Sequence, residues 1–513
     1  MDTATNKYGV RRWWALAAIT LGVMAAGLDI TILSVALPTL AGSLHASESD
    51  LQWFSSSYAV VLSAGMLPAG VLGDRFGRRK VLALSLVLFA LGSLGCAIST
   101  NSGQFIAART VLGVAASGLT VMAISSLTVL FSEKERPRAV GIWGAANFLA
   151  LPVGPILGGW LLEHYWWGWV FLINVPVSLL GLLAVVTFIP ETRAAKPPAL
   201  DPVGIATSSL GLVGMTYGMI EVGRNGFGDA ASWVALVAGV AALVAFVFWE
   251  RRLPADRTLV DLDMLASRSF TGGIVLAALG VLAMVGVLFT MPQYFQGVAG
   301  TDAQGSGIRL IPLILGIVAG AVPADRVAAL VGPKITAAIG FVILSAGLLA
   351  GAMTTVDSST WYVAGWMAAC GLGMGIALST SASAALGQLS TENSGVGSAL
   401  MQAIQKVGAP FGSAILGSVL VSAYQAHLDL TGLPAPAAGV VRASVFGGAA
   451  VAGRLHSSAL LHSVLQAFVY GMDVALVVSA GIGAAGIVLA LILLPRRPVV
   501  AEATETREAH QLA

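Results

Sequence analysis

Charge is what this sequence has least of. Only 10% of its 513 residues are Asp, Glu, Lys or Arg, against about 25% in an ordinary soluble domain. Hydrophobic residues make up 57%, with a mean hydropathy of +0.86, more apolar surface than a soluble core of this length could bury. Cysteine is nearly missing. Cys96 and Cys370 fall in separate apolar runs, so free thiols are expected and a disulfide framework is excluded. Histidine is scarce, and His427, His456 and His462 crowd one late polar stretch, read as solvated loop. No metal-ligand spacing, Walker loop or nucleophile elbow occurs, so the chain is expected to be no enzyme, with no metal, no cofactor and no ATP site. A net charge of +2 makes no case for nucleic acid.

What the sequence has in abundance is apolar runs of about 20 residues, the length that crosses a bilayer. Fourteen are read: 14–37, 51–73, 81–99, 104–130, 138–162, 169–189, 202–221, 231–249, 270–292, 304–323, 333–353, 360–385, 396–423 and 466–494. The first is long enough to span and has no small-residue cleavage site after it, so it is read as a span, not a removed signal. With the N-terminus placed inside, 21 of the 27 Lys and Arg residues fall on inner segments. Arg224, Arg442 and Arg454 alone fall outside, while Arg109, Arg309 and Lys406 lie within spans. Basic residues hold loops in the cytoplasm, so both termini are expected there.

The chain also divides. Residues 1–190 read as a six-helix bundle, 191–268 as a linker with two inserted transmembrane helices, and 269–495 as a second six-helix bundle with an extracellular loop at 424–465. Residues 496–513 read as a cytoplasmic tail. The stretch VGPK at 331–334 looks like a worn copy of an earlier turn: aligning Gly332 with Gly77 puts Ala329 where Asp74 stands. Repeated bundles about a central interface are the layout of secondary transporters.

That earlier turn is GVLGDRFGRRK, residues 70–80. Its bases suit an inner loop and its glycines a tight turn, but neither accounts for Asp74. The order of Gly70, Leu72, Asp74, Arg75, Gly77, Arg78 and Arg79 resembles the signature loop of the major facilitator superfamily. The resemblance implies an all-α polytopic fold of two six-helix bundles, in which this loop is a conformational latch. Its Asp would meet a helix end of the other bundle, and its Arg residues would pair with nearby acids.

Four more stretches narrow the branch. GLDITILSVALP at 27–38 is similar to the first-span motif of drug:proton antiporters, and RTVLGVAASG at 109–118 to their fourth-span motif with an embedded Arg. LPVGPILGGW at 151–160 resembles the antiporter motif, with Ala150 in place of its leading glycine. FLINVP at 171–176 resembles the sixth span of the fourteen-span EmrB/QacA type. Gly154, Gly158 and Gly159 would open a small face for close helix packing, and Pro155 would kink the helix.

Charges inside spans cost energy and usually mark function. Asp29 lies ~12 Å below the outer end of span 1 and Arg109 ~8 Å below that of span 4. The depths permit pairing, either as a static ion pair or as a site where Asp29 takes a proton, or competes for a cationic substrate, under the control of Arg109. Lys406 is read as a contact between bundles, and Arg309 as a group that snorkels outward. Asp473, ~12 Å into the last span, and Glu221, at the outer end of span 7, are further embedded acids. Trp53, Tyr58, Trp143, Asn147, Gln293 and Tyr294 are candidate walls of a cavity for lipophilic cations, though Trp53 suits an interfacial anchor equally well.

The expected function is proton-coupled efflux of lipophilic small molecules across the bacterial plasma membrane by alternating access. The expected partners are protons, substrate and lipid, with no nucleic acid and a monomeric chain. Two alternatives remain open: a dedicated exporter of one natural product, conferring self-resistance, and a non-transporting membrane sensor or scaffold.

Overall fold

The computed structural model describes residues 11–44, 46, 48–132, 135–193, 201–225, 228–254, 258, 263–387 and 394–495. The tail 496–513 and most of the segment joining the inserted pair to its neighbours lie outside these residues. Among the described residues, all regular structure is helical. In a bilayer a helix meets its backbone polar groups internally, and runs this rich in Ala, Leu and Val supply the apolar surface.

The first half comprises α1 (Arg11–Ser43), α2 (Glu48–Phe76), α3 (Arg78–Ala97), α4 (Ser102–Leu130), α5 (Arg136–His164), the short α6 (Trp169–Leu172) and α7 (Asn174–Phe188). Next come α8 (Pro202–Asn225), α9 (Ala230–Glu250) and the short α10 (Asp263–Ala266). The second half runs α11 (Arg268–Gln293), a π-helical turn Tyr294–Val298, α12 (Ala303–Arg309), α13 (Ile311–Ala321), α14 (Ala324–Val331), α15 (Pro333–Gly351) and α16 (Thr360–Leu386). It ends with α17 (Ser394–His427), α18 (Ala435–Ala443), α19 (Val445–Arg454) and α20 (Ser458–Leu493).

Eleven of these helices are long and apolar enough to cross a membrane, and the bent pair Gly305–Ala321 and Ala324–Val331 makes a twelfth. The chain is a multi-pass membrane protein. Span 10, expected as one continuous helix, divides into α12 and α13 at Leu310, and a bend of 43° follows at its end, between Ala321 and Ala324. Pro312 in the first turn of α13 and Pro323 at the N-cap of α14 account for the breaks, since neither can donate a backbone hydrogen bond. The stretch 424–465, expected as loop, holds α18, α19 and the first turns of α20. It folds because Val441, Val445 and Ala452 bury against the second bundle, and Ser444 and Ser457 cap α19 and α20 through their hydroxyls.

The halves repeat. In the first, α4 packs on α2 and α3, α1 on α5, and α7 on α1 and α3. In the second, α16 packs on α13 and α15, α11 on α17, and α20 on α11 and α15. The halves meet along two seams: α17 lies against α2 and α4, and α5 against α12, α13 and α16. Small residues make the second seam close. A Cβ on Gly141 of α5 would stand 2.7 Å from the Cβ of Ala321. The gap left between α5, α13 and α16, lined by Val140, Gly144, Ile317 and Ser379 among others, holds about one water.

The extra pair α8–α9 sits on the first seam. α8 packs on both α2 and α17. The Ser209 hydroxyl donates to the Ala64 carbonyl at 2.8 Å, and the Thr216 hydroxyl to that of Ser63 at 3.1 Å. Met219, Val222 and Leu236 form a separate small core with Ala414 of α17. Cys96 and Cys370 are buried free thiols.

Candidate functional site

Asp29 and Arg109 meet. The guanidinium Nη1 donates to Asp29 Oδ2, and each residue is 1% exposed. The geometry follows from close helix approach. A Cβ on Gly113, one turn below Arg109, would be 2.8 Å from the Tyr58 carbonyl, so only glycine lets α4 lie this near α2. Arg109 is thereby set against the upper part of α2. Its Nε donates to the Phe54 carbonyl at 2.9 Å, and its guanidinium carbon lies 4.6 Å from the centre of the Tyr58 ring. The Tyr58 hydroxyl donates to the Ala26 carbonyl on α1 at 3.3 Å. A fourth helix joins through Asn174, the first residue of α7, whose Nδ2 donates to Asp29 Oδ1 at 3.4 Å. Phe54, Phe105 and Phe171 stack outward from the pair, with ring centres 4.5 and 5.3 Å apart.

Both charges are thus out of water, with partners on every side. A buried ion pair of this kind gains little net stability, because desolvation offsets attraction, yet losing one partner costs about 3–5 kcal/mol. Chemically the site offers a carboxylate able to exchange a proton, an arginine that compensates the charge, and an amide that follows either state.

Asp29 occupies one side of α1, and the antiporter motif occupies another. A Cβ on Gly154 would fall 1.9 Å from Thr31 Oγ1, and one on Gly158 would fall 3.0 Å from Ile32 Cγ2. The Thr31 hydroxyl donates to the Ala150 carbonyl of α5 at 3.0 Å. The motif therefore presses α5 onto α1 within a turn of Asp29. A Cβ on Gly159 would meet open space. Pro155 lies inside α5, which runs unbroken from Arg136 to His164.

The α2–α3 turn is tightly built. Gly77 has φ of 116°, which L side chains rarely adopt, and a Cβ there would also strike Glu191 Oε1 at 2.3 Å. Arg78 reaches back one turn, its Nη2 donating to Asp74 Oδ1 at 2.6 Å, and both side chains are buried. The Arg78 amide donates to the Thr192 carbonyl at 2.9 Å, and Arg79 lies 3.8 Å from Glu191. The turn is thus pinned to the end of α7. Arg75 lies over the Phe76 ring at 5.9 Å, and Gly70 is buried on α2. The other bundle reaches this region as α17, whose first side chains lie outside the described ones. Gly332 makes the matching turn in the second half, with φ of 85°. Ala329 stands in α14 as aligned, and Asp325 one turn earlier has a buried Oδ1 with no hydrogen-bond partner.

The cavity candidates scatter. Tyr58 belongs to the Asp29 site. Trp53 is exposed and stacks on Tyr217 of α8, ring centres 6.2 Å apart. Tyr294 is buried, its hydroxyl donating to the Thr355 carbonyl at 3.1 Å. The Gln293 amide donates to the Phe289 carbonyl on its own helix. Trp143 and Asn147 share the inward part of α5, joined by a bond from Asn147 Nδ2 to the Trp143 carbonyl at 2.8 Å. Trp143 Nε1 is buried without a partner, as are Thr380 and Ser381 of α16 and the Gln402 amide nitrogen of α17. Arg309 lies over Phe295 at 5.7 Å. Glu221 lies in α8. The Lys406 side chain lies outside the described residues. Sequence reasoning missed Asn174, the Phe54 carbonyl, and the polar groups of α16 and α17. The runs STSAS at 379–383 and QAIQ at 402–405 were visible signals for the last of these.

The structure thus holds two repeated helix bundles, with an acid–base pair sunk among four helices of one. The comparison with known families names the class. Residues 19–413 match the Major Facilitator Superfamily, and the chain belongs to it. Among curated relatives, the tetracenomycin C resistance and export protein of Streptomyces glaucescens is 30% identical, covering 95% of this chain and 93% of its own. The multidrug efflux pump LfrA of Mycolicibacterium smegmatis is 28% identical over 93% and 95%. The methyl viologen resistance protein SmvA of Salmonella typhimurium is 29% identical over 91% and 95%. Among solved structures, the human organic anion transporter MFSD10 superposes with a TM-score of 0.62 at 16% identity, covering 93% of this chain and 99% of that one. The proton:xylose symporter XylE gives 0.60 at 14% over 95% and 97%. At these identities the structures speak for the fold alone.

Proposed function

We propose that the chain exports lipophilic, cationic drugs across the bacterial plasma membrane in exchange for protons. The two six-helix bundles rock about the α2–α17 and α5–α13–α16 seams. In this reading α5 and α17, 29 and 34 residues long, complete fourteen spans of the EmrB/QacA type, with both termini in the cytoplasm. The transporter acts as a monomer with no cofactor, and proton flux supplies the energy.

The observation that carries the reading is the buried Asp29–Arg109 pair with Asn174 as a third ligand. A charge pair of no net stabilising value, placed where four helices meet, is explained by a carboxylate that changes protonation as the helices move. Relatives named for drug resistance and export support the direction of transport and the substrate class. Asp74 and Arg78 act as the cytoplasmic latch.

One further observation favours a second reading. The first relative above is named for resistance to a single natural product, so a dedicated exporter fits the same machinery with a narrower cavity. Efflux of several unrelated cationic dyes from inverted vesicles, with and without a proton gradient, decides between them. Gradient-driven movement of many dyes supports the multidrug reading, and movement of none with one antibiotic moved supports the dedicated exporter. No gradient-dependent movement of any compound overturns both.

A further inference from the structure

The second bundle carries its own embedded acid. Asp473 is half-buried on α20, and of its two carboxylate oxygens Oδ1 is buried with no hydrogen-bond partner in the structure. It forms none of the ion pairs found among the described residues. Its position is meaningful in the repeat. α20 packs on α11 and α15 as α7 packs on α1 and α3, so it is the counterpart of the helix that brings Asn174 to Asp29. The counterpart of α4 is α16, and α16 has no charged residue to match Arg109.

The groups around it are few. Tyr294 of the π-helical turn lies within electrostatic range of Asp473, and also of Arg309 at the end of α12 and Asp357 in the α15–α16 connection. Tyr294 and Arg309 have other engagements. The Tyr294 hydroxyl is committed to the Thr355 carbonyl, and Arg309 lies over Phe295. On α17 the Tyr424 hydroxyl donates to the Val441 carbonyl at 2.7 Å, and His427 stacks on Tyr470 with ring centres 3.5 Å apart. Arg454 ends α19. The charged residues of α11 and α15, Arg268 and Lys334, stand at the opposite ends of those helices.

A carboxylate oxygen buried without a donor is among the costlier groups a membrane protein can hold. A proton bound there removes the charge and supplies an O–H. We propose that Asp473 is a second proton-binding site, loaded from the outer end of the C-terminal bundle, so that each bundle carries one exchangeable carboxyl. Water supplies the proton, and no other bond changes. The consequence for coupling rests on the antiport reading, but the site itself is testable without transport.

The test is pH-difference infrared spectroscopy of the full chain in lipid nanodiscs, reading the C=O stretch of protonated carboxyls. The expected result is a titrating band that Asp473→Asn abolishes, Asp29→Asn keeps and Asp473→Glu shifts. Asp473→Asn leaving every titrating band in place overturns the proposal, and so does loss of the same band in Asp29→Asn. Where Asp473→Asn fails to purify as a monodisperse protein, Asp473→Glu decides, an unshifted band counting against the site. The antiport reading stands or falls separately, on gradient-driven efflux by the wild type.

Discussion

Replacing Asp29 with Asn removes one charge and almost no volume. The amide keeps an oxygen for Arg109, and Arg109 keeps the Phe54 carbonyl at 2.9 Å and the Tyr58 ring at 4.6 Å. The loss therefore falls at the low end of the range for breaking a buried pair, ~3 kcal/mol, or about a hundredfold in the folding equilibrium. Denaturant unfolding of the purified protein in mixed micelles measures it. The double variant Asp29→Asn, Arg109→Gln should recover much of the loss, because it leaves no uncompensated charge. Gradient-driven efflux should stop in both, since neither holds an exchangeable proton at this site. A single variant within ~0.5 kcal/mol of wild type, the scale of a neutral surface change, refutes the electrostatic argument. A destabilised variant that still pumps at the wild-type rate refutes the coupling role and leaves a static ion pair.

Four other expectations come from particular contacts. Asp74→Asn should shift the population toward the inward-open form and slow turnover, read from a distance-label pair across the inner gate; an unchanged distribution makes Asp74 an ordinary loop residue. Gly154→Ala should destabilise by ~1–3 kcal/mol through overpacking against Thr31, whose Cβ would stand 2.7 Å away, and Thr31→Gly should relieve it; additive losses in the double variant would show that the contact is not the cause. Gly141→Val should hold the α5–α13 seam apart and raise cysteine reactivity at Ser379→Cys, with unaltered reactivity as the contrary result. Single cysteines replacing Asp429 and Arg193, both exposed, should label only from outside and only from inside respectively, and labelling of both from one side breaks the topology.

The frame of this protein was open to reading because bilayer physics constrains it from outside. Run length, basic loops and glycine-rich motifs each report a requirement of the solvent, not of a particular neighbour. Asp29 and Arg109 could be paired from depth alone, since two opposite charges in hydrocarbon have few other options. Gly77 was equally legible as a tight turn, and it stands as the single residue between α2 and α3. What escaped was supplied by partners with no mark of their own. The Phe54 carbonyl is a backbone group, and Asn174 reads in sequence as one polar residue at the start of a span. The break in span 10 had a signal in Pro312 and Pro323, outweighed by the continuity of the apolar run. The helices within 424–465 depend on burial against the second bundle, a tertiary effect that local propensity does not carry.

The two halves share a frame but distribute charge unequally, and the inequality bears on how the molecule can turn over. A pump must close and reopen each seam many times, so no contact remade in the cycle can be very strong. The buried pair Asp74–Arg78 looks like a contradiction, since separating such charges would cost about 3–5 kcal/mol. The contradiction dissolves because the two residues flank one turn of one bundle, Asp74 near the end of α2 and Arg78 at the start of α3. The pair travels with its own bundle and need not break when the halves part. On the proposed latch reading, the opening step alters the interaction of that local dipole with a facing helix end, about 0.3–1 kcal/mol and up to ~2 when partly buried, enough to bias two states by tenfold without locking either. The opposite seam follows the same logic by other means. Gly141 and Ala321 meet through backbone and methyl surface, so parting them strands no charge. Among the described residues, the buried pair Asp29–Arg109 stays inside one bundle, and the α5–α13 seam closes on Gly141 and Ala321.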